Sequence, residues 1–210
     1  VEPEKARTWE VGTRYDDDAL TAEIGLFLIN FNNQYDSNQT NDTVTARGKT
    51  RHSGLEAQTR YSLGELSPAL DNLSLYASYA YVNAEIREKG DTYGNQVPFS
   101  PKHKGSFGVD YKPGSWTFNL NSDFQSSQFA DNANTVAESA DGSTGRIPGY
   151  MLWGARVAYD FGPQMANLNL ALGVKNIFDH EYYTRSYDDN NKGLYAGQPR
   201  TLYLQGSMKF

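Results

Sequence analysis

Apolar and polar residues alternate along much of this chain with a period of two. In the segment 115–124, Trp116, Phe118 and Leu120 fall on one face, and polar residues fill the positions between them. A period of two is the repeat of a β-strand whose two faces lie in unlike surroundings. The pattern predicts about nine strands and almost no helix. The predicted strands span residues 5–15, 19–33, 50–62, 72–86, 103–112, 115–127, 149–161, 166–178 and 195–210.

The connections between the predicted strands alternate in length. Short connections are predicted at 16–20, 63–71, 112–115 and 162–167. Long polar connections are predicted at 34–49, 87–102, 128–148 and 179–194. Short turns at one end and long loops at the other are typical of an antiparallel up-and-down β-barrel of a bacterial outer membrane.

Strand length and aromatic residues favour a membrane barrel over a soluble β protein. Several predicted strands have 11 or more residues, whereas ordinary strands have about 5–6 and a tilted membrane strand needs about 9–11. Aromatic residues such as Trp9, Tyr15, Tyr111 and Trp116 lie near predicted strand ends, as in the two aromatic girdles of membrane barrels. The alternative is a soluble β-sandwich or lipocalin-like barrel, in which the apolar face packs against protein.

Composition leaves the membrane interpretation open. Hydrophobic residues make up 38% and charged residues 21% of the chain, which would also suit a soluble protein. Only every second residue of a membrane strand faces lipid, however, so a modest hydrophobic content does not exclude a membrane. Cysteine is absent and the net charge is −6, so a disulfide scaffold is excluded and general nucleic-acid binding is disfavoured. The opening VEPEKARTWE has no apolar signal-peptide region, which indicates either a cytosolic protein or a piece of a longer one.

Several short motifs resemble those of a known family. The segment LALGVKNIFDHEYYTRS (170–186) carries Asn176–Asp179 as N-I-F-D, and Gly197, Pro199 and Arg200 follow as G-x-P-R before a final Phe210. Together with PEKARTWEVGTRY (3–15) and SPKHKGSFGVDY (100–111), they resemble the barrel signatures of TonB-dependent outer-membrane receptors. Each motif is weak alone, but together they occur in order across the whole chain.

The resemblance implies an all-β fold, a 22-stranded transmembrane barrel plugged by an N-terminal domain. Residues 1–210 would form the C-terminal portion of that barrel, about nine strands, with the plug and the earlier strands absent. The implied location is the cell outer membrane, with lipid around the barrel. The implied energy source is the TonB complex, which would act through the absent N-terminal region.

The long loops resemble those of ferric citrate receptors in this family, at 32–56, 83–105 and 185–203. The implied function is capture and import of ferric citrate. The alternatives are a receptor for another ferric siderophore or carboxylate chelate, or a passive porin. By resemblance, Gln39 and Asn190 are ligand-binding residues, because an amide NH₂ can donate to a citrate carboxylate. Arg47, Arg185 and Lys192 are secondary candidates for attracting an anion.

The sequence gives no sign of catalysis, a resident metal or a cofactor. His52, His103 and His180 are far apart, and neither H-E-x-x-H nor C-x-x-C occurs. Ser53 follows His52 directly, and neighbours on a strand point to opposite faces. The polar run 188–191 lacks the alternating ligands and the glutamate of a calcium loop. We therefore expect a protein that is not an enzyme.

Overall fold

The computed structural model describes residues 3–38, 43–140, 142–187 and 193–208, and its regular structure is almost entirely β. The strands are β1 (Lys5–Asp16), β2 (Leu20–Asn38), β3 (Thr43–Ser62), β4 (Leu73–Ile86), β5 (His103–Tyr111), β6 (Trp116–Gln125), β7 (Gln128–Phe129), β8 (Arg146–Ile147), β9 (Tyr150–Asp160), β10 (Asn169–Lys175), β11 (Tyr183–Tyr187), β12 (Gly193–Ala196) and β13 (Thr201–Ser207). Three short 3₁₀ turns lie at Leu63–Glu65, Pro68–Leu70 and Pro163–Met165. Within the described ranges, no helix is long and apolar enough to cross a membrane.

Nine of these strands form one antiparallel sheet in the order β1-β2-β3-β4-β5-β6-β9-β10-β13. Each strand pairs with the next one along the chain, apart from two short hairpins that leave the sheet, β7–β8 and β11–β12. The prediction of nine meandering antiparallel strands is confirmed. The strands of the sheet have up to 20 residues, well beyond the average strand of a soluble domain.

The register sorts the side chains onto an outer and an inner face. On the outer face, Val11 pairs with Leu26, and Leu26 pairs with Leu55; at the far edge Leu172 pairs with Leu204. Leu204 is 77% exposed, an exposure that suits a lipid-facing position. The inner face carries mostly polar residues, so the predicted two-faced sheet is confirmed.

Two predicted boundaries were wrong, and both errors came from polar sequence within strands. The predicted loop 34–49 is largely strand, since β2 and β3 remain paired up to Asn38 and Thr43, past a bulge at Phe31–Tyr35. The predicted strand 195–210 is also too long. Its first part belongs to β12, which pairs with β11 outside the main sheet. Polar two-sided strands above the membrane have no apolar face, so the alternation pattern does not detect them.

Several glycines of the sheet lie beneath the aromatic ring of their directly paired neighbour. Gly54 pairs with Phe27, and a Cβ added at Gly54 would lie 2.7 Å from Cζ of that ring. Gly173 lies under Tyr203 in the same way. These rings therefore lie flat along the inner wall. Phe27, which interrupts the polar face of β2 in the sequence, is accommodated by this packing. The ring of Phe31, which also interrupts that face, contacts the His52 ring edge-on, with the ring centroids 5.3 Å apart.

Candidate ligand-binding end of the barrel

The two ends of the sheet differ in the length of their connections. The turns at 17–19, 63–72, 112–115 and 161–168 join successive strands at one end. The segments 87–102, 126–149 and 176–200 lie at the other end, as does the part of the β2–β3 hairpin beyond the bulge at Phe31–Tyr35, and the last two segments contain the short hairpins β7–β8 and β11–β12. Because outer-membrane barrels have short periplasmic turns and longer extracellular loops, the long connections form the extracellular end.

The two predicted ligand-binding residues fall, along the sequence, between residues that the structure pairs at the extracellular end. Gln39 belongs to the connection 39–42 between the paired residues Asn38 and Thr43. Asn190 belongs to the connection 188–192, between the paired residues Tyr187 and Gly193. Gln39 and Asn190 lie outside the described residues, as does the secondary candidate Lys192. Their role in binding therefore stays a prediction.

The other two secondary candidates are Arg47 and Arg185. Arg47 lies within β3, and the description covers its backbone only. The Arg185 guanidinium lies over the ring of Phe99, 4.8 Å from the centroid. This cation–π contact ties β11 to the segment 87–102 and holds a positive charge in the extracellular layer.

At the base of the β2–β3 hairpin, a small polar group faces the interior. The Thr50 hydroxyl donates to Oε1 of Gln34 at 2.8 Å and lies 3.2 Å from Nε2 of His52. Thr50 is buried at 2% exposure. The Thr50–Gln34 bond ties β2 to β3 within the bulge at Phe31–Tyr35.

Side-chain amides interlock the segments 87–102 and 126–149. The Asn134 amide donates to the carbonyl of Gln96 at 2.8 Å, and its Oδ1 accepts from the Gln96 backbone N–H at 2.7 Å. Asn95 donates to the carbonyl of Asn132 at 2.9 Å. The paired donors and acceptors satisfy buried backbone groups of both loops. The two loops thus form one layer, held together by asparagine and glutamine side chains. In the sequence the same residues only indicate a polar loop.

The same layer reaches the final hairpin. Gln128 is buried at 3% exposure, and its amide donates to the carbonyl of Thr184 in β11 at 2.9 Å. Asp131 organises the 126–149 loop by accepting from the backbone N–H groups of Thr135 and Gly145. Sequence reasoning did not identify Gln128 or Asp131, because a single buried amide or acid has no pattern of its own.

The N-I-F-D motif closes the base of the final loop. Asn176 follows β10 with a φ of 51°, a left-handed conformation that asparagine adopts more readily than most residues. Its amide donates to the carbonyls of His180 and Gln198 at 2.9 and 3.1 Å, and its Oδ1 accepts from the His180 backbone N–H at 2.9 Å. Asp179 accepts from the backbone N–H of Arg200 at 2.7 Å. We call this set of contacts the Asn176 clamp; it explains why the N-I-F-D and G-x-P-R motifs occur together.

The inner wall carries more acid than base at mid-height. Four acids, Glu10, Glu23, Glu56 and Asp123, occupy inner-face positions in the register, beside two bases, Arg14 and Lys104. They border two open concavities of about 560 and 570 Å³. An anionic ligand is repelled by such a wall. The amide-rich and arginine-bearing loop layer above it is the better place to bind a carboxylate.

Nearer the periplasmic end, a second polar group spans four strands of the inner wall. Arg60 donates to Oδ2 of Asp110 at 2.9 Å, and its guanidinium lies 5.0 Å from the Tyr76 ring centroid. Asn119 donates to Oδ1 of the same carboxylate at 2.8 Å and to the Tyr76 hydroxyl at 3.0 Å. Asp110 is 9% exposed, and its carboxylate is compensated by Arg60 of β3 and Asn119 of β6. We read this group as structural.

The histidines take part in local packing. Nδ1 of His103 lies 2.7 Å from the Tyr79 hydroxyl, and the backbone of His180 belongs to the Asn176 clamp. Across the described ranges, no group of three or more histidine, aspartate or glutamate residues is arranged to hold a metal ion.

Comparison with known proteins agrees with this geometry. A model of the TonB dependent receptor-like β-barrel matches residues 1–177. The metal-pseudopaline receptor CntO of Pseudomonas aeruginosa is 27% identical, over 100% of this chain and 28% of that protein. The ferrichrome outer membrane transporter/phage receptor of Escherichia coli K12 is 25% identical, over 99% of this chain and 27% of that protein.

A solved structure is more similar. The crystal structure of the ferric citrate transporter FecA in the unliganded form is 87% identical to this chain, with a TM-score of 0.92. The match covers 100% of this chain and 32% of that one. This chain therefore spans about a third or less of the length of each of these three proteins.

Proposed function

Because this chain belongs to the TonB-dependent receptor family, as part of its outer-membrane β-barrel, we propose that it is the C-terminal portion of a receptor that binds ferric citrate at its extracellular loops and imports it with TonB-supplied energy. The observation that carries this proposal is the 87% identity to the ferric citrate transporter FecA along the entire chain. The match covers the whole of this chain and so extends over the extracellular connections, which are the parts that contact a ligand in such a barrel.

The geometry supports an anionic chelate as the ligand. Ferric citrate presents carboxylate oxygens around an iron that is already coordinated, so a receptor needs hydrogen-bond donors rather than metal ligands. The extracellular layer supplies amides and guanidinium groups, among them Arg185, whereas the wall beneath it is acidic. We propose that Gln39 and Asn190, in the connections 39–42 and 188–192, donate their amide N–H groups to citrate.

The organisation of the whole receptor is part of the same proposal. The nine-stranded sheet has β1 and β13 at its edges, and an open edge in lipid leaves backbone groups without partners. We propose that further strands close the barrel, that a plug domain fills it, and that the TonB complex acts on that plug. The role proposed for this chain is binding and passage, with no covalent chemistry.

The binding residues can be tested in the intact receptor. Gln39→Ala and Asn190→Ala are each expected to weaken ferric citrate binding by roughly 10-fold or more, because a hydrogen bond to a charged group contributes about 1.5–3 kcal/mol. Binding is measured by calorimetry on the purified receptor in detergent.

Matched controls remove exposed amides from the periplasmic end, at Asn72→Ala and Gln164→Ala. These variants are expected to bind ferric citrate as the parent does. Unchanged ferric citrate affinity in both Gln39→Ala and Asn190→Ala would refute the assignment of the site. If the unmodified receptor bound another ferric chelate and did not bind ferric citrate, the assignment of the ligand would be refuted.

A further inference from the structure

The inner wall carries a row of three hydrogen-bond donors where it meets the extracellular layer. Lys104 pairs with Gln125, and Gln125 pairs with Tyr150, so their side chains lie side by side on the inner faces of β5, β6 and β9. Gln125 ends β6, Tyr150 begins β9, and Lys104 follows the first residue of β5. All three therefore lie at the extracellular ends of their strands, and they supply an ammonium, an amide and a phenol. We call Lys104, Gln125 and Tyr150 the donor row.

The polar groups of the donor row have no protein partner in the part of the chain that the structure describes. Lys104 is exposed and takes part in no ion pair, and neither the Gln125 amide nor the Tyr150 hydroxyl is hydrogen-bonded to a protein group there. The Tyr150 ring is nevertheless held in place by the ring of Tyr182, with the centroids 4.4 Å apart. The Tyr182 hydroxyl in turn accepts from the backbone N–H of Gln198 at 3.1 Å. The donor row therefore lies directly beneath the final extracellular loop.

Beside the donor row, the inner wall has an open concavity of about 560 Å³. All three members of the donor row border it. Small side chains leave this space free, among them Ser78, Ala80 and Ser106, and the hydroxyl oxygens of the two serines lie 2.8 Å apart. The volume falls within the range of about 300–1,000 Å³ that small-molecule sites have. A chelate can therefore reach the three donors from inside the barrel.

The charge of the wall changes sign below the donor row. Because barrel strands are tilted, a register row runs obliquely along the wall. Gln125 and Tyr150 lie at strand ends, whereas Glu56 of the same register row lies well inside β3, so the row descends toward Glu56. Asp123 lies one inner-face position below Gln125, and its Oδ2 accepts from the Asn121 amide at 3.2 Å, on the side away from the donor row. An anion is therefore attracted at the donor row and repelled beneath it.

We propose that the donor row is a second binding site on the inward path, which holds the carboxylates of the chelate after the ligand has left the extracellular loops. This inference rests on the function proposed above. The Lys104 ammonium supplies charge, and the amide and the phenol add directed hydrogen bonds to carboxylate oxygens. Adjacent strands are about 4.8 Å apart, so the three donors spread over about 10 Å. A chelate with several carboxylates can engage all three, whereas a single carboxylate of the plug would engage one or two. The acids beneath the row then oppose further descent of the anion.

The test compares uptake with binding in the intact receptor. Uptake of radioactive iron, supplied as saturating ferric citrate, is measured in cells that express the receptor, and binding is measured by calorimetry on the purified receptor. Lys104→Gln and Tyr150→Phe are each expected to slow uptake about 10-fold, and the double variant about 100-fold, because each removes a hydrogen bond to a charged group. The affinity for ferric citrate is expected to stay unchanged, because the loops hold the ligand at equilibrium. Lys104→Arg keeps the charge and is expected to restore most of the uptake.

A matched control changes the same residue types at the periplasmic end of β5. Lys112→Gln/Tyr111→Phe removes one exposed ammonium and one exposed phenol there. This variant is expected to bind and import ferric citrate as the parent does.

Three results would overturn the proposal. The first is parental uptake in Lys104→Gln/Tyr150→Phe. The second is weakened ferric citrate binding in that variant, which would make the donor row part of the loop site. The third is slower uptake together with a lower unfolding temperature of the plug in scanning calorimetry, which would show that the row holds the plug instead. If the double variant fails to assemble, Tyr150→Phe, which keeps the ring against Tyr182, decides the question in the same assays. Failure of the unmodified receptor to bind ferric citrate would refute the function proposed above, and it is measured separately from all three results.

Discussion

The Asn176 clamp offers a sharp test of how the final extracellular loop is held. Asn176 is 5% exposed and makes three hydrogen bonds, two donated and one accepted. Asn176→Gly removes these bonds but keeps the left-handed backbone unstrained. At about 1 kcal/mol for each bond, the loop base should open more easily by about 3 kcal/mol. Asn176→Ala should add roughly 1 kcal/mol, because its Cβ disfavours a φ of 51°.

Hydrogen exchange in the intact receptor measures this opening directly. Backbone amides of 177–187 and 193–200 are expected to exchange on the order of 100-fold faster in Asn176→Gly, and about fivefold faster again in Asn176→Ala. Asn167→Gly is the control. Asn167 also has a φ of 51° but is exposed at the periplasmic end of β10. It should leave exchange in the final loop unchanged.

The two variants separate the hydrogen bonds from the backbone conformation. Exchange within threefold of the parent in Asn176→Gly would refute the claim that the amide holds the loop. Equal exchange rates in Asn176→Gly and Asn176→Ala would refute only the claim that a Cβ strains the left-handed backbone at this position.

Two other consequences follow from the fold. Leu172→Arg, at mid-strand on the lipid face, is expected to lower the free energy of unfolding in bilayers by about 2–4 kcal/mol. Gln205→Arg, on the inner face of β13, is expected to change it by less than about 0.5 kcal/mol. Urea unfolding in lipid vesicles compares the two variants, and an equal loss of stability would refute the assignment of the two faces. In the periplasmic turn, hydrogen bonds from the Tyr15 hydroxyl and then from backbone N–H groups lower the pKa of Asp17 below its ordinary 3.8. The stability from these bonds is therefore present above pH 3.8 and is lost as the pH falls through the lowered pKa. Tyr15→Phe should raise that pKa, and an unchanged value in an NMR titration of labelled aspartate would contradict the assignment.

The sheet was largely predictable, because the alternation of apolar and polar residues that marks each strand lies within a short stretch of sequence. Wherever one face meets lipid and the other meets a polar interior, alternation identifies the strand and its facing, as at Trp116–Leu120 and Leu170–Val174. Alternation fails above the membrane, where both faces are polar. The extensions of β2 and β3 and the hairpin β11–β12 were missed for that reason.

The candidate site was less predictable, because it depends on partners that are distant in sequence. Gln128 meets Thr184 across 56 residues, and Asn134 meets Gln96 across 38. Nothing local marks those amides as different from solvated ones. Gln39 and Asn190 could be proposed as ligand-binding residues only by resemblance, and their contribution to binding stays a prediction.

The flat aromatic rings of the inner wall set how much room the barrel leaves inside. At Gly54 and Gly173 the missing Cβ lets Phe27 and Tyr203 lie against the backbone, so each ring adds only its thickness to the wall. A methyl group at Gly173 would collide with the Tyr203 ring, and one at Gly54 would collide with the Tyr81 carbonyl oxygen as well as with the Phe27 ring. The two glycines thus let the rings lie directly against the backbone. At these two positions the inner wall therefore takes up less of the interior than it would with upright rings.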